Sequence, residues 1–171
     1  MLPPISNTDP LLDILRLLKE HGVPFVVIGG YAAVVHGSPL PTYDIDVCAP
    51  VDPVNASRIV EAVQSLNPKW RDRPDLPIVR PDNPNLQSIK NLYFVTSAGR
   101  FDVLGTVSGV GDFSAVVERS VRKTIEGIEY DFLNLDALID AKKAAGRGKD
   151  LQALLYLESV RDELRRQGKS A

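Results

Sequence analysis

The chain has 171 residues, 44% of them apolar and 25% charged, which suits one soluble core that needs no disulfide or metal staple. A net charge of -2 excludes a protein that coats nucleic acid through a dominant basic surface, although a local basic pocket stays open. Cys48 is the single cysteine, which excludes an internal disulfide and a Cys-based zinc site. No apolar run approaches the roughly 20 residues of a membrane span. The N-terminus lacks the basic-then-apolar order of a secretory signal, so a cytoplasmic protein without a membrane partner is expected.

Residues 10–20 place Leu11, Leu12, Leu15 and Leu18 at helical spacing, with Pro10 as a start and Gly22 as a stop. Phe25 to Ile28 reads as a buried strand entering the turn Gly29-Gly30, and Tyr31 to His36 as a short buried helix. Tyr43 to Ala49 is a second strand, with Cys48 as an inert buried thiol. Asp52-Pro53 opens a helix carrying Ile59, Val60, Val63 and Leu66. Residues 67–90 are rich in proline, aspartate and arginine, and predict a long ordered loop with at most one short strand near Leu76 to Val79.

Leu92 to Thr96 and Arg100 to Leu104 form a hairpin around Ser97-Ala98-Gly99. A short helix near Ser114 to Glu118 follows, then a second hairpin around Gly127. Leu135 to Ala145 is helical, with Gly146 suited to the position just past its end. A last helix carries Leu151, Leu154, Leu155, Leu157 and Val160. There is no internal repeat. One α/β (α+β) domain over 1–171 is expected, with a core over about 23–133 and a helical part over about 134–168.

Asp44 and Asp46 interrupt a buried strand. Residues two apart on a strand share a face, so both carboxylates project one way while Ile45 and Val47 face the core. Like charges this close need an offset, and a divalent cation such as Mg²⁺ prefers carboxylate oxygens. Two solvated aspartates on an open strand face are the plainer reading. Asp102 is a third lone charge in an apolar strand. If its strand neighbours that of Asp44 and Asp46, three carboxylates converge, enough for the two metals of in-line phosphoryl transfer. Asp102 is also a candidate general base, or simply an edge charge facing water.

Gly29-Gly30, where a strand passes into a helix, allows positive φ and close approach of phosphate to backbone N–H groups; it also fits a plain tight turn. Ser38 and Thr42 are candidate hydroxyl donors to phosphate or loop caps. His36 reads as a structural or capping residue; the other histidine is His21. Lys142, Arg147 and Lys149 gather at a helix–glycine–helix junction. Cations suit a helix C-terminus, but Arg147 and Lys149 open the next helix, where positive charge is disfavoured. That conflict points to a ligand or to a carboxylate partner, for which Asp150 is placed.

Strand, Gly29-Gly30, short helix, His36-Gly37, loop and Thr42-x-Asp44-Ile45-Asp46-Val47 together resemble the nucleotidyltransferase superfamily signature, in which a hydrophobic residue and Gly-Gly or Gly-Ser precede D-x-D on the next strand. Asp102 is similar to the third carboxylate found there on a later strand. Lys142, Arg147, Lys149, Asp150 and Leu151 are similar to the C-terminal motif of a bacterial and archaeal branch that includes AbiEii and MenT-like toxins. The resemblance covers about residues 23–160.

It implies a mixed, twisted sheet flanked by helices, with C-terminal helices added. It implies a metal-dependent enzyme that moves a nucleoside monophosphate from an NTP, such as ATP, to a hydroxyl or similar acceptor. Asp44, Asp46 and Asp102 would be catalytic and hold Mg²⁺ or Mn²⁺. Gly29, Gly30, Ser38, Thr42, Lys142, Arg147 and Lys149 would bind the nucleotide. The acceptor would be an RNA or tRNA end, a protein or a small molecule, and a toxin-like member would have a cognate antitoxin. Leu40 stands where many relatives carry Arg, which is compatible with a catalytically inactive, nucleotide- or partner-binding relative.

Overall fold

The computed structural model describes residues 9–78 and 88–170, including the backbone but not the side chain of Lys149. The chain separates into two compact units, and the strand that carries the paired aspartates is divided between them. The first unit comprises residues 1–24, 43–45 and 49–105; the second comprises 25–42, 46–48 and 106–171.

In the first unit, helix α1 (Pro10–Glu20) starts where the sequence predicts, with Asp9 accepting a hydrogen bond from the Leu11 N–H. Its Ile14, Leu15 and Leu18 are fully buried, and it packs on α3 (Pro53–Ala62) and β5 (Gly99–Leu104). Asp52 caps α3 through the Asn55 N–H at 2.9 Å, with Pro53 in the first turn. A short 3-10 turn follows at Gln64–Leu66.

Strands β3 (Lys69–Trp70), β4 (Asn91–Thr96) and β5 lie in that order, antiparallel, and β2 (Asp44–Cys48) is next after β5. The Trp70 ring stacks on Phe94 at 5.0 Å, and Phe94 on Phe101 at 5.8 Å. The expected strand near Leu76 to Val79 is absent over 76–78, while Val79 lies outside the described residues. Pro77 lacks the N–H a ladder needs, and its carbonyl instead accepts from Trp70 Nε1 at 3.1 Å. The paired segment is Lys69–Trp70, two residues that periodicity has too little length to mark.

In the second unit, β1 (Val26–Ile28) is buried throughout and pairs antiparallel with β2, Val27 opposite Val47. On its other side β1 runs parallel to β9 (Ile128–Leu133), which pairs antiparallel with β8 (Ser120–Ile125). The order β2-β1-β9-β8 therefore mixes parallel and antiparallel neighbours, as the resemblance implies.

Helix α2 (Gly29–Val35) follows β1 directly, and α5 (Leu135–Ala145) packs against it. Asn134 caps α5 through the Ala137 N–H at 2.8 Å, and Gly146 ends it at φ 61°, the conformation expected of that glycine. Helix α6 (Gly148–Arg166) packs along α5. The glycine-rich connection holds a pairing that its composition hides: β6 (Thr106–Val107) and β7 (Gly111–Asp112), followed by α4 (Phe113–Glu118). Among the described residues, no helix is long and apolar enough to cross a membrane.

Candidate active site

Strand β2 has the alternation its sequence predicts. Ile45 and Val47 are at most 1% exposed, while Asp44 and Asp46 on the opposite face are only half-buried. One face of the strand is core and the other carries both carboxylates.

In the second unit, Asp46 lies opposite Ile28, beside the glycine turn. Gly29 has φ +66°, a left-handed conformation natural to glycine, and a Cβ built on it would strike Asp46 Oδ2. Glycine is required there twice, for its backbone and for the room it leaves the carboxylate. Gly30 lies under Thr42, whose Oγ1 would stand 3.0 Å from an added Cβ. Ser38 is buried, and its Oγ accepts the Leu40 N–H at 3.3 Å, so it serves as the loop cap that was one of its two readings. His36 ends α2 with Nε2 2.9 Å from the Leu133 carbonyl, a structural tie. Burial lowers its pKa, the Leu133 bond opposes this, and the charge of Lys123 lowers it further. Cys48 is buried, and burial, with Asp112 acting the same way, pushes its thiol up to about 11, as befits an inert residue.

In the first unit, the β4–β5 register sets Tyr93 opposite Asp102. Burial raises the Asp102 carboxyl above its ordinary value, Arg71 opposes that, and the negative charge of Asp44 pushes it up again. Asp44 and Asp102 are thus near enough to feel each other. Arg71 was not foreseen as a site residue. Its Nη1 donates to both Asp102 oxygens, at 3.1 and 2.8 Å, and its guanidinium lies 4.4 Å from the Tyr93 ring centroid. Burial works against the Arg71 charge, but Asp102 and Asp72 outweigh it and hold the group above its ordinary value. The hairpin register alone would have paired Tyr93 with Asp102; nothing periodic in the loop marks Arg71.

Among the described residues, no group of three or more His, Cys, Asp or Glu side chains is arranged to hold a metal ion. Asp102 lies on the strand next to β2 in the sheet order, and its carboxylate is engaged by the Arg71 guanidinium. The donor chemistry still fits a hard cation: carboxylates on one strand face, beside a glycine that leaves Asp46 room.

The basic residues of the α5–α6 junction meet a carboxylate. Asp150 is 2% exposed, and its oxygens accept from Lys142 Nζ at 3.0 Å and Arg147 Nε at 2.8 Å. Burial alone would raise the Asp150 carboxyl, but the Arg147 and Lys142 bonds outweigh it and hold it below its ordinary value. The Lys149 side chain lies outside the described residues.

No protein-family model matches the chain, and no curated protein matches it in sequence. Solved structures match its fold. Against the lincosamide antibiotic adenylyltransferase LnuA, bound to lincomycin, the TM-score is 0.61 at 13% identity, covering 91% of this chain and 98% of that one. The Thermotoga maritima protein TM1012 gives 0.56 at 17% identity, covering 91% of each chain. ANT(2″)-Ia in complex with adenylyl-2″-tobramycin gives 0.54 at 14% identity, covering 91% and 95%. The chain has the mixed α/β fold of these structures, with helices flanking the sheet and further helices at the C-terminus.

Proposed function

We propose that the chain is a metal-dependent nucleotidyltransferase. Asp44 and Asp46 would hold Mg²⁺ or Mn²⁺, with Asp102 as the third carboxylate, and Gly29, Gly30, Thr42 and Ser38 beside the nucleotide. The observation that carries this reading is the open face of β2, with both aspartates on it and Gly29 kept bare against Asp46. The shared fold with adenylyltransferases supports it.

In the reaction, an acceptor oxygen forms a bond to the α-phosphorus of the NTP. The α–β phosphoanhydride breaks, pyrophosphate leaves, and the acceptor proton passes to a carboxylate, for which Asp102, raised by burial, is suited. When bound, the metal would offset phosphate charge and polarise the acceptor. Lys142 and Arg147, held by Asp150, would steady the phosphates together with Lys149.

The lincomycin and adenylyl-tobramycin of the neighbouring structures support a small-molecule acceptor. The motif over Lys142 to Leu151 supports instead the AbiEii and MenT-like branch, with an RNA end or protein as acceptor, a cytoplasmic setting and an antitoxin partner. A catalytically inactive, nucleotide-binding relative is the second reading, favoured by Leu40 and by the Arg71–Asp102 pair.

Radiolabelled NTPs with Mg²⁺ or Mn²⁺, offered small hydroxylated compounds, total RNA and protein extract, separate these. Transfer of label to one class is expected from the wild type. Asp46→Ala should reduce transfer at least about a hundredfold while keeping the wild-type circular dichroism spectrum. Wild-type transfer by that variant would sink the carboxylate assignment, and nucleotide binding without turnover in the wild type would favour the inactive reading.

A further inference from the structure

The geometry points to Arg71 as an exchangeable counter-cation of Asp102, one that leaves the carboxylate for a phosphate group of the ligand. This rests on the nucleotidyltransferase reading and adds to it a phosphate-binding residue from the loop after β3.

A single nitrogen, Nη1, spans both Asp102 oxygens, so one swing of the side chain releases the whole carboxylate. The pair is partly open to water, with the Arg71 side chain 29% exposed and that of Asp102 19%. Asp72, its other acidic neighbour among the described residues, is 3.6 Å from Nε and 77% exposed, too wet to anchor the group.

The backbone beneath is fixed. The Arg71 N–H donates to the Tyr93 carbonyl at 2.9 Å, directly after the Trp70–Phe94 stack. The Tyr93 ring on which the guanidinium lies is itself tied, its hydroxyl accepting from Asn91 Nδ2 at 3.0 Å. A fixed backbone and a flat aromatic surface leave the side chain free to slide while staying stacked.

Charge balance supplies the reason to move. The negative charge of Asp44 bears on Asp102, while Arg71 and, to a smaller extent, Arg100 oppose it. A triphosphate is a stronger partner for a guanidinium than one half-buried carboxylate. Asp102, once released, becomes available to the divalent cation that accompanies the nucleotide.

The test is binding by the full chain, read without turnover. Mn²⁺ affinity in the absence of nucleotide, measured by electron paramagnetic resonance, should rise about tenfold in Arg71→Gln, since the competing charge-assisted bond is gone. Arg71→Lys, which keeps a cation, should stay near the wild type. Calorimetric affinity for inorganic pyrophosphate should fall about tenfold in Arg71→Gln. In the wild type, pyrophosphate should saturably shift the Arg71 Nε–Hε resonance, a readout that needs no variant to fold. An unmoved Arg71 resonance overturns the exchange. So does unchanged Mn²⁺ affinity in an Arg71→Gln protein that melts like the wild type. The underlying reading fails separately, when Asp46→Asn binds Mn²⁺ as the wild type does; the exchange alone fails when Asp46→Asn loses Mn²⁺ but Arg71→Gln gains none.

Discussion

Gly29 occupies a position where two demands coincide. Its φ of +66° costs an L-residue roughly 1–2 kcal/mol, and any side chain meets Asp46 Oδ2 as well. Gly29→Ala should therefore lower unfolding free energy in urea by at least about 1 kcal/mol. It should also cut NMP transfer more than that loss of folded protein explains, because the displaced group is Asp46. A variant with wild-type stability and transfer would mean that the turn relaxes and that the glycine is not needed for the carboxylate. Gly30 is different: its φ is ordinary, and its tight neighbour is the Thr42 hydroxyl. The two glycines are identical in the sequence, and the backbone angle and the neighbouring side chain separate their roles.

The α5–α6 junction shows how a charge cluster acts at the scale of an element. Asp150 in the first turn of α6 meets Lys142 near the end of α5 and Arg147 at the cap of α6, tying two helices across one glycine. Asp150→Asn leaves a 19%-exposed lysine facing an amide, and should cost about 3 kcal/mol, measured by denaturant unfolding at neutral pH. The sign of the pH effect follows from the lowered carboxyl. The pair contributes fully above the unfolded aspartate value of about 3.9, and its contribution is lost as pH falls through the lower folded value. The acid-unfolding profile of Asp150→Asn should lack that part of the slope; an unchanged profile would assign the acid sensitivity elsewhere. Elements with long periodicity were the legible ones: α5 ends at Gly146 as expected, and the second hairpin turns around Gly127, whereas Gly99 opens β5 opposite Thr96 and leaves Ser97-Ala98 as the first hairpin's turn. Lys69–Trp70, Thr106–Val107 and Gly111–Asp112 were not legible, because two-residue strands have no period to detect. Arg71 was missed for a related reason. Its partner is 31 residues away, and a loop records no face in its sequence.

For the whole molecule, a balance of 20 basic against 22 acidic residues limits how an RNA acceptor could be held. Binding through a few phosphates at one end gives a shallow salt dependence, with a slope of about 0.7 per neutralised phosphate. If RNA is the acceptor, a plot of log affinity against log salt should have a slope no steeper than about -3; a much steeper one would demand a long basic track that the composition does not supply. The carboxylate strand was readable because it rests on alternation, and the fold because the glycine turn and the D-x-D strand resemble a known signature, whereas the engagement of Asp102 depends on a tertiary contact. Strand β2 also carries a consequence for folding fidelity. Because Ile45 and Val47 are sealed while Asp44 and Asp46 stay open, a slip of one residue against β1 would bury two carboxylates and expose two large aliphatic side chains. The acidic pair thus penalises misregistered pairing as strongly as the apolar pair rewards the native one. Replacing both aspartates with alanine would remove that penalty, so the double variant should refold with more heterogeneous kinetics than either single variant.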